Sequence, residues 1–108
     1  MNLIIGSHVS YNNKSQLLGS VKEALSYKAN TFMFYTGAPH NTNRSVIEDS
    51  LTMEAYKLMK ENNIALEKVI VHAPYIVNLA NFNNFDFSVS FLINEVERCS
   101  TLGIKYLV

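Results

Sequence analysis

The alternation of short apolar segments with helical stripes is the feature that most constrains how this chain folds. Four apolar segments recur, LIIG at 3–6, TFMFY at 31–35, KVIVH at 68–72 and KYLV at 105–108. Each is a continuous apolar run rather than an alternating one, which is typical of parallel strands whose faces are covered by other elements. The spacing between the segments leaves room for one helix in each interval.

The three intervals have apolar residues at i, i+3 and i+4, so each predicts a helix with one apolar stripe. Ser45 and Glu48 form a Ser-x-x-Glu pattern that predicts a capping box at the start of the second helix. Gly103 predicts a left-handed residue at the end of the third helix. The predicted stripes are Leu17, Leu18, Val21, Ala24 and Leu25, then Ile47, Leu51, Ala55, Leu58 and Met59, then Val89, Leu92, Ile93, Val96 and Cys99.

The resulting order, β-α-β-α-β-α-β, predicts an α/β fold, either an open doubly wound sheet or part of a barrel. No Gly-x-Gly-x-x-Gly or Walker pattern follows a strand, which argues against nucleotide binding of those kinds. The last apolar run reaches Val108, and domain boundaries normally lie in polar linkers. We therefore expect residues 1–108 to be an incomplete domain that ends inside its fourth strand.

The composition narrows the class of protein further. The chain has 108 residues, of which 48% are hydrophobic, and its nine basic residues balance its nine acidic ones. This balance argues against a stand-alone DNA-binding module but not against a chain that supplies part of a DNA-binding surface. The single cysteine, Cys99, excludes a disulfide framework. The sequence has no membrane-spanning run and no signal peptide, so we expect a cytoplasmic protein without membrane contacts.

Polar side chains follow each predicted strand at the carboxyl end, where parallel α/β folds place their functional residues. All three histidines of the chain belong to this set. His72, directly after a buried strand, is either a hydrogen-bonded structural residue or a metal ligand. Arg44 is either a surface charge or a binding residue, and Tyr75 follows a proline, which favours exposure. The candidates are Ser7, His8, Ser10, Tyr35, Thr36, His40, Asn41, Arg44, His72, Tyr75 and Asn78.

Several stretches together resemble the N-terminal part of endonuclease IV, an apurinic/apyrimidinic endonuclease family. They are IGSHVS, TFMFYTGAPHNT, the stretch from MEAYKLMKENNI into VIVHAPYIVNLAN, and FLINEVERCSTLGIKYLV. The resemblance implies the first three and a half βα units of a (β/α)₈ TIM barrel. It also implies a zinc-dependent DNA repair enzyme that hydrolyses the phosphodiester 5′ to an abasic site and leaves a 3′-hydroxyl.

The resemblance also implies roles for individual residues. His72 matches a zinc-binding histidine of a family centre that holds three zinc ions. Tyr75 and Ile76 match the loop pair that enters double-stranded DNA at the abasic site, and Arg44 or its neighbour Asn43 matches a second DNA-contacting position. His8 and Ser10 match a motif that we expect to shape the site. His40 receives no role.

The resemblance places the other zinc ligands of the family beyond the equivalent of Val108. We therefore expect one ligand in this chain, no activity from the chain alone, and loss of half the barrel core behind Ile5, Phe32, Phe34 and Ile70. The complete enzyme is expected to be a monomer, whereas the 108-residue chain is expected to self-associate. The alternatives are a non-catalytic truncated remnant and a metal-dependent sugar isomerase-like TIM barrel.

Overall fold

Four strands and three helices alternate along the chain in a computed structural model, which describes residues 3–75, 77–78, 80 and 82–108. Short 3-10 turns at Leu66–Lys68 and Phe82–Asn84 precede the third strand and the third helix. No helix in the described ranges is long and apolar enough to cross a membrane. The elements are β1 (Gly6–His8), α1 (Gln16–Ser26), β2 (Thr31–Phe34), α2 (Asp49–Glu61), β3 (Ile70–Val71), α3 (Phe85–Leu102) and β4 (Tyr106–Leu107).

The order of the strands decides between the two architectures that the sequence left open. All three pairings are parallel, and the spatial order is β1-β2-β3-β4. A doubly wound sheet reverses its strand order at a switch point, whereas a (β/α)₈ barrel adds its strands in chain order. The chain therefore forms an open, four-stranded portion of a (β/α)₈ barrel, as predicted.

The register of the strands separates a covered face of the sheet from an uncovered face. Phe34 is paired in register with Val71, and Val71 with Leu107. Phe34 and Val71 are completely buried and belong to the core that includes Leu17 and Val21 of α1. The expectation that Phe32 and Phe34 face the barrel interior is therefore wrong, because both rings lie under the helices. The residues of β2 and β3 on the opposite face, Met33 and Ile70, are only half-buried.

The first strand begins later than the apolar segment at 3–6 predicts. Leu3, Ile4 and Ile5 are all more than half exposed and precede β1. The Ile5 N–H donates to Asn30 Oδ1 at 2.7 Å, and the Asn30 side-chain amide donates to the Leu3 carbonyl at 2.8 Å. The Asn30 side chain thus forms hydrogen bonds with the Ile5 N–H and the Leu3 carbonyl, which strand pairing would otherwise use. Regular pairing begins at Gly6.

The ends of the helices confirm one predicted signal and contradict another. Gly103 has φ +77° and ends α3 in the left-handed conformation, as predicted. The capping box at Ser45 and Glu48 is wrong, because α2 begins at Asp49 after Glu48 and has no side-chain cap. The carbonyl of Ser45 accepts a hydrogen bond from Arg98 instead, at 2.6 Å.

The stripe predicted for α3 is also wrong in part, whereas the residues of the other two stripes are buried or half-buried, with Ile47 lying before the start of α2. Ile93 and Val96 are about half exposed, at 54% and 53%. The buried side of α3 contains charged residues among its members, which are Ser88, Phe91, Glu95, Arg98, Cys99 and Leu102. The helix is therefore rotated away from its most apolar face, because Glu95 and Arg98 pair with residues that follow β2.

Candidate functional site

Three rings lie in a row at the carboxyl edge of the sheet. His8 is the last residue of β1, Tyr35 follows β2, and His72 follows β3. The ring centroids of His8 and Tyr35 are 5.2 Å apart, and those of Tyr35 and His72 are 4.8 Å apart. The two histidines predicted at strand ends therefore lie on either side of one tyrosine.

The hydrogen bonds of His72 determine which ring nitrogen is available for a ligand. Its backbone N–H donates to the Phe34 carbonyl at 2.9 Å, which anchors the residue to the end of β2. Its ring Nδ1 lies 2.5 Å from the Ala73 carbonyl, and a carbonyl can only accept, so Nδ1 carries the proton in the neutral ring. Nε2 is then the nitrogen with a free lone pair. An imidazole that donates from one nitrogen to a carbonyl is oriented as metal-bound imidazoles usually are.

The loop after β1 is fixed to α1 through the backbone of Ser10. The Ser10 N–H donates to Glu23 Oε1 at 3.0 Å, and the Ser10 carbonyl accepts from Ser20 Oγ at 2.6 Å. The bond from the Ser10 N–H holds the pKa of the Glu23 carboxyl below its ordinary value. Ser10 therefore shapes this loop through its main chain, while its side chain is exposed.

The loop after β3 presents an exposed aromatic ring. Pro74 is buried, and Tyr75, which follows it, has 66% of its surface exposed. The Val77 N–H donates to the Pro74 carbonyl at 3.1 Å, so the chain turns back directly after the tyrosine. Ile76, the predicted partner of Tyr75, lies outside the described residues.

A polar cleft of about 670 Å³ lies between the loops that follow β1 and β2. His8 and Tyr35 form part of its lining, together with the exposed Asn43. The other polar side chains that line it are the hydroxyls of Ser10 and Tyr11 and the amides of Asn12, Asn13 and Asn41. A larger groove of about 980 Å³ runs beside α3 and β4, but its lining is mostly aliphatic and contains none of the three rings.

Asn43 and Arg44, the two candidates after β2, differ in exposure and contacts. Asn43 is exposed, and its backbone N–H donates to Asn41 Oδ1 at 3.0 Å. The Arg44 side chain is only 5% exposed, and its Nε lies 2.7 Å from Glu95 Oε1. Arg44 is therefore not a surface charge, and it is the neighbouring Asn43 that faces the solvent. His40 is exposed as well.

Sequence analysis missed the buried charged residues Glu95 and Arg98 behind this loop and named Thr36 only as a residue that follows the second strand. Thr36 is 1% exposed, Glu95 is completely buried, and Arg98 is 8% exposed. One signal was available in the sequence. Phe91, Glu95, Arg98 and Leu102 lie at positions i, i+4, i+7 and i+11 of one helix. That spacing puts two charges on the same helical face as two large apolar residues.

Comparison with known proteins finds relatives of this chain, although no family model matches it. It is 49% identical to the probable endonuclease 4 of Mesoplasma florum over 97% of this chain and 38% of the relative. It is 52% identical to the probable endonuclease 4 of Bacillus subtilis over 98% of this chain and 36% of the relative. Over nearly its whole length, the chain is therefore similar to proteins of the endonuclease IV type. It matches the N-terminal part of these proteins and spans less than two fifths of their length.

Solved structures show a similar fold. The crystal structure of endonuclease IV from Thermus thermophilus superposes with a TM-score of 0.79 and 25% identity, over 94% of this chain and 38% of that one. The crystal structure of AsfvAP:AG superposes with a TM-score of 0.71 and 18% identity, over 94% and 37%, and shows the same fold. Both confirm that the four strands correspond to a portion of a (β/α)₈ barrel.

Metal-ligating side chains are sparse in this part of an endonuclease IV-type barrel. Across the described ranges, no group of three or more His, Cys, Asp or Glu side chains could hold a metal ion. A protein zinc site takes at least three protein ligands. His72 fits the role of one ligand, since its Nε2 is available, but the described residues do not form a complete centre.

Proposed function

We propose that this chain supplies the DNA-probing loops and one zinc ligand of an endonuclease IV-type enzyme of DNA repair. Such an enzyme hydrolyses the phosphodiester 5′ to an abasic site in double-stranded DNA and leaves a 3′-hydroxyl. The identity of about 50% to proteins named probable endonuclease 4, over nearly the whole chain, carries this proposal. The complete enzyme would act as a monomer in the cytoplasm.

His72 is proposed as the zinc ligand. Its Nδ1–H is bonded to the Ala73 carbonyl, which leaves Nε2 to bind the metal. A zinc ion in such an enzyme activates water and stabilises negative charge on a phosphate. The three ions expected for the complete enzyme need many more ligands than one imidazole. The role of this chain is therefore to orient one corner of the centre, with Tyr35 packed against the His72 ring.

Tyr75 and Ile76 are proposed as the pair that enters the DNA where the base is missing. The 66% exposure of Tyr75 on a tight turn supports this role, because an exposed aromatic ring can stack on neighbouring bases. Asn43 is proposed as the contact from the loop after β2, rather than Arg44, because Asn43 faces the polar cleft. His8 and Ser10 are proposed to shape that cleft and not to bind zinc.

A non-catalytic remnant is the second candidate. The observation that favours it is the lack of a group of three metal-ligating side chains among the described residues. A sugar isomerase-like barrel is disfavoured, because a small sugar offers no base stack for the exposed Tyr75 to enter.

The test uses a chimera in which residues 1–108 replace the matching part of the Bacillus subtilis relative. Replacing Tyr75 by Ala removes the ring that stacks, and stacking contributes about 1–3 kcal/mol per base. We expect Tyr75→Ala to weaken binding to duplex DNA with one abasic site by this amount and to leave binding to intact duplex nearly unchanged. Fluorescence anisotropy with the two duplexes measures both affinities.

Tyr27→Ala is the matched control, because Tyr27 is similarly exposed, at 57%, but follows the end of α1 far along the chain from the loop after β3. It is expected to change neither affinity. Equal losses on the two duplexes for Tyr75→Ala would show that Tyr75 is only structural. A chimera that neither binds nor cleaves abasic DNA would favour the non-catalytic remnant.

A further inference from the structure

Arg44 lies at the centre of the loop that follows β2. Its Nη1 donates to three carbonyls of that loop, those of Ala38 and Asn41 at 3.2 Å each and that of Asn43 at 2.8 Å. The loop therefore wraps around the guanidinium, and the Asn43 carbonyl bonds to it while the Asn43 side chain lines the polar cleft. An arginine can hold these carbonyls through Nη1 while its Nε bonds Glu95 at a separate position of the same plane, whereas a lysine presents all its donors from one nitrogen.

Helix α3 holds this guanidinium from the other side. Glu95 Oε1 accepts from Arg44 Nε at 2.7 Å, and Glu95 Oε2 accepts from Thr36 Oγ1 at 2.7 Å. The Arg44 guanidinium also lies over the Phe91 ring, 4.9 Å from its centroid. One buried carboxylate thus joins the first part of the loop, at Thr36, to its last part, at Arg44.

Arg98, one turn further along α3, ties the two ends of the same segment. Its Nε and Nη2 donate to the Thr36 hydroxyl and carbonyl at 3.0 and 2.9 Å, and its Nη1 donates to the Ser45 carbonyl at 2.6 Å. The segment between Thr36 and Ser45 is therefore clamped at both ends by α3. Because Glu95 and Arg44 are both buried, separating them would leave an uncompensated charge in the interior.

We propose that Arg44 and Glu95 are positioning residues that hold the loop between Thr36 and Ser45, and with it Asn43, in the shape that faces the DNA. Arg44 does not contact the phosphates itself, because its guanidinium would have to leave Glu95 and three carbonyls to do so. The part of this inference that concerns DNA rests on the proposed function. The part that concerns the loop does not.

The first experiment measures hydrogen exchange of the chimera without DNA. Arg44→Lys keeps the charge but cannot hold the carbonyls, and Glu95→Gln keeps the shape but removes the charge. We expect both variants to exchange about tenfold faster in peptides that cover residues 37–45, with α1 unchanged. Glu97→Gln, an exposed position on the same helix, is the control and is expected to leave all peptides unchanged.

Unchanged exchange of residues 37–45 in both variants would overturn the proposal. If both variants unfold throughout, Thr36→Val replaces them, because it removes only the hydroxyl that joins Glu95 to Arg98 and leaves no new charge. The same local increase in exchange is expected for it. An increase in α1 equal to that in the loop would overturn the proposal as well.

The second experiment measures the salt dependence of abasic-DNA binding by the chimera. A positioning role predicts that Arg44→Gln and Glu95→Gln each weaken the binding of abasic DNA. The double variant is then expected to bind no more weakly than the single variant with the lower affinity. The slope of the logarithm of affinity against the logarithm of salt concentration is expected to stay unchanged. A direct phosphate contact predicts that Arg44→Gln lowers the slope by about 1 and that Glu95→Gln leaves binding equal or tighter. That second pattern would overturn the proposal. A chimera that does not bind abasic DNA refutes the proposed function, whereas hydrogen exchange still decides the role in the loop.

Discussion

At the scale of single residues, the surroundings of Cys99 determine how reactive its thiol is. The side chain is 5% exposed. Burial raises the pKa of the thiol from 9.0 to about 11, and the negative charge of Glu95 adds to this effect while Arg98 opposes it. The thiolate is the reactive form of cysteine, so Cys99 is a core residue rather than a nucleophile.

The first residue-scale prediction concerns the reactivity of this thiol. At pH 8 we expect Cys99 to react with a disulfide reagent far more slowly in the folded chain than in urea, because both burial and the raised pKa suppress the thiolate. Absorbance of the released chromophore measures both rates. Similar rates in the two conditions would mean that the thiol is accessible in the folded chain.

The raised pKa of Cys99 also predicts how stability depends on pH. Burial favours the neutral thiol in the folded state, so its contribution to stability is fully present below the pKa of the unfolded thiol. That contribution is lost as the pH rises from about 9 through about 11, because only the unfolded state gains a thiolate there. Urea unfolding at pH 8 and pH 10.5 is expected to show a larger loss for the wild type than for Cys99→Ala. An equal loss in both proteins would assign the effect to other groups, such as Tyr11, whose pKa burial also raises.

At the scale of elements, the start of α2 shows how tertiary contacts override a local signal. Ser45 belongs to the segment that Arg98 clamps, and its hydroxyl is buried without a hydrogen-bond partner among the described residues. Glu48 takes the N-cap position instead, with extended backbone angles of φ −90° and ψ 120°. This backbone suits a capping residue, but the glutamate side chain makes no cap.

The element-scale prediction follows from the missing cap. Glu48→Asp keeps the charge. The shorter aspartate side chain can accept a hydrogen bond from a backbone N–H in the first turn of the helix. We expect it to raise the free energy of unfolding by about 0.5–1 kcal/mol, measured by urea denaturation. Glu54→Asp, an exposed position inside α2, is the control and is expected to lower the stability slightly. A stability loss at both positions would show that the start of α2 does not accept a cap.

At the scale of the whole molecule, two apolar surfaces have no partner within the described part of the chain. One is the face of the sheet opposite the helices, where Tyr106 is 53% exposed. The other is the groove of about 980 Å³ beside α3, where Leu92 and Val96 meet Ile104 and Leu107. Strands β1 and β4 each pair on one side only within the described sheet, and unpaired edges favour association with other chains.

We therefore expect the 108-residue chain to self-associate or aggregate. Light scattering at increasing concentration measures this association, and a dye that binds apolar surfaces reports the exposed groove. Val96→Lys, inside the groove, is expected to lower dye binding, whereas Met53→Lys, an equally apolar and 63% exposed position on α2 outside it, is the control. A monomer with no dye binding and a sharp thermal transition would contradict this prediction.

The sequence by itself determined which elements form, in what order, and which side chains follow the strands. Strand runs, helical stripes and the left-handed Gly103 depend on local periodicity and backbone preference, which neighbouring residues along the chain encode. The same local logic placed His8 and His72 at the carboxyl edge of the sheet, since every parallel strand ends on that edge. The roles assigned to these side chains in DNA or zinc binding remain predictions.

Only the tertiary structure decided how the elements face one another. Which side of α3 is buried, and the burial of Arg44, depend on hydrogen bonds that Arg44 and Thr36 donate to Glu95. Arg44 and Thr36 precede Glu95 by 51 and 59 positions in the chain. No local pattern encodes such a pair, and the apolar stripe predicted a face of the helix that overlaps the buried one only in part. The choice of a barrel over a doubly wound sheet likewise depends on strand order in space. Local periodicity is the same in both architectures, because each covers parallel strands with amphipathic helices.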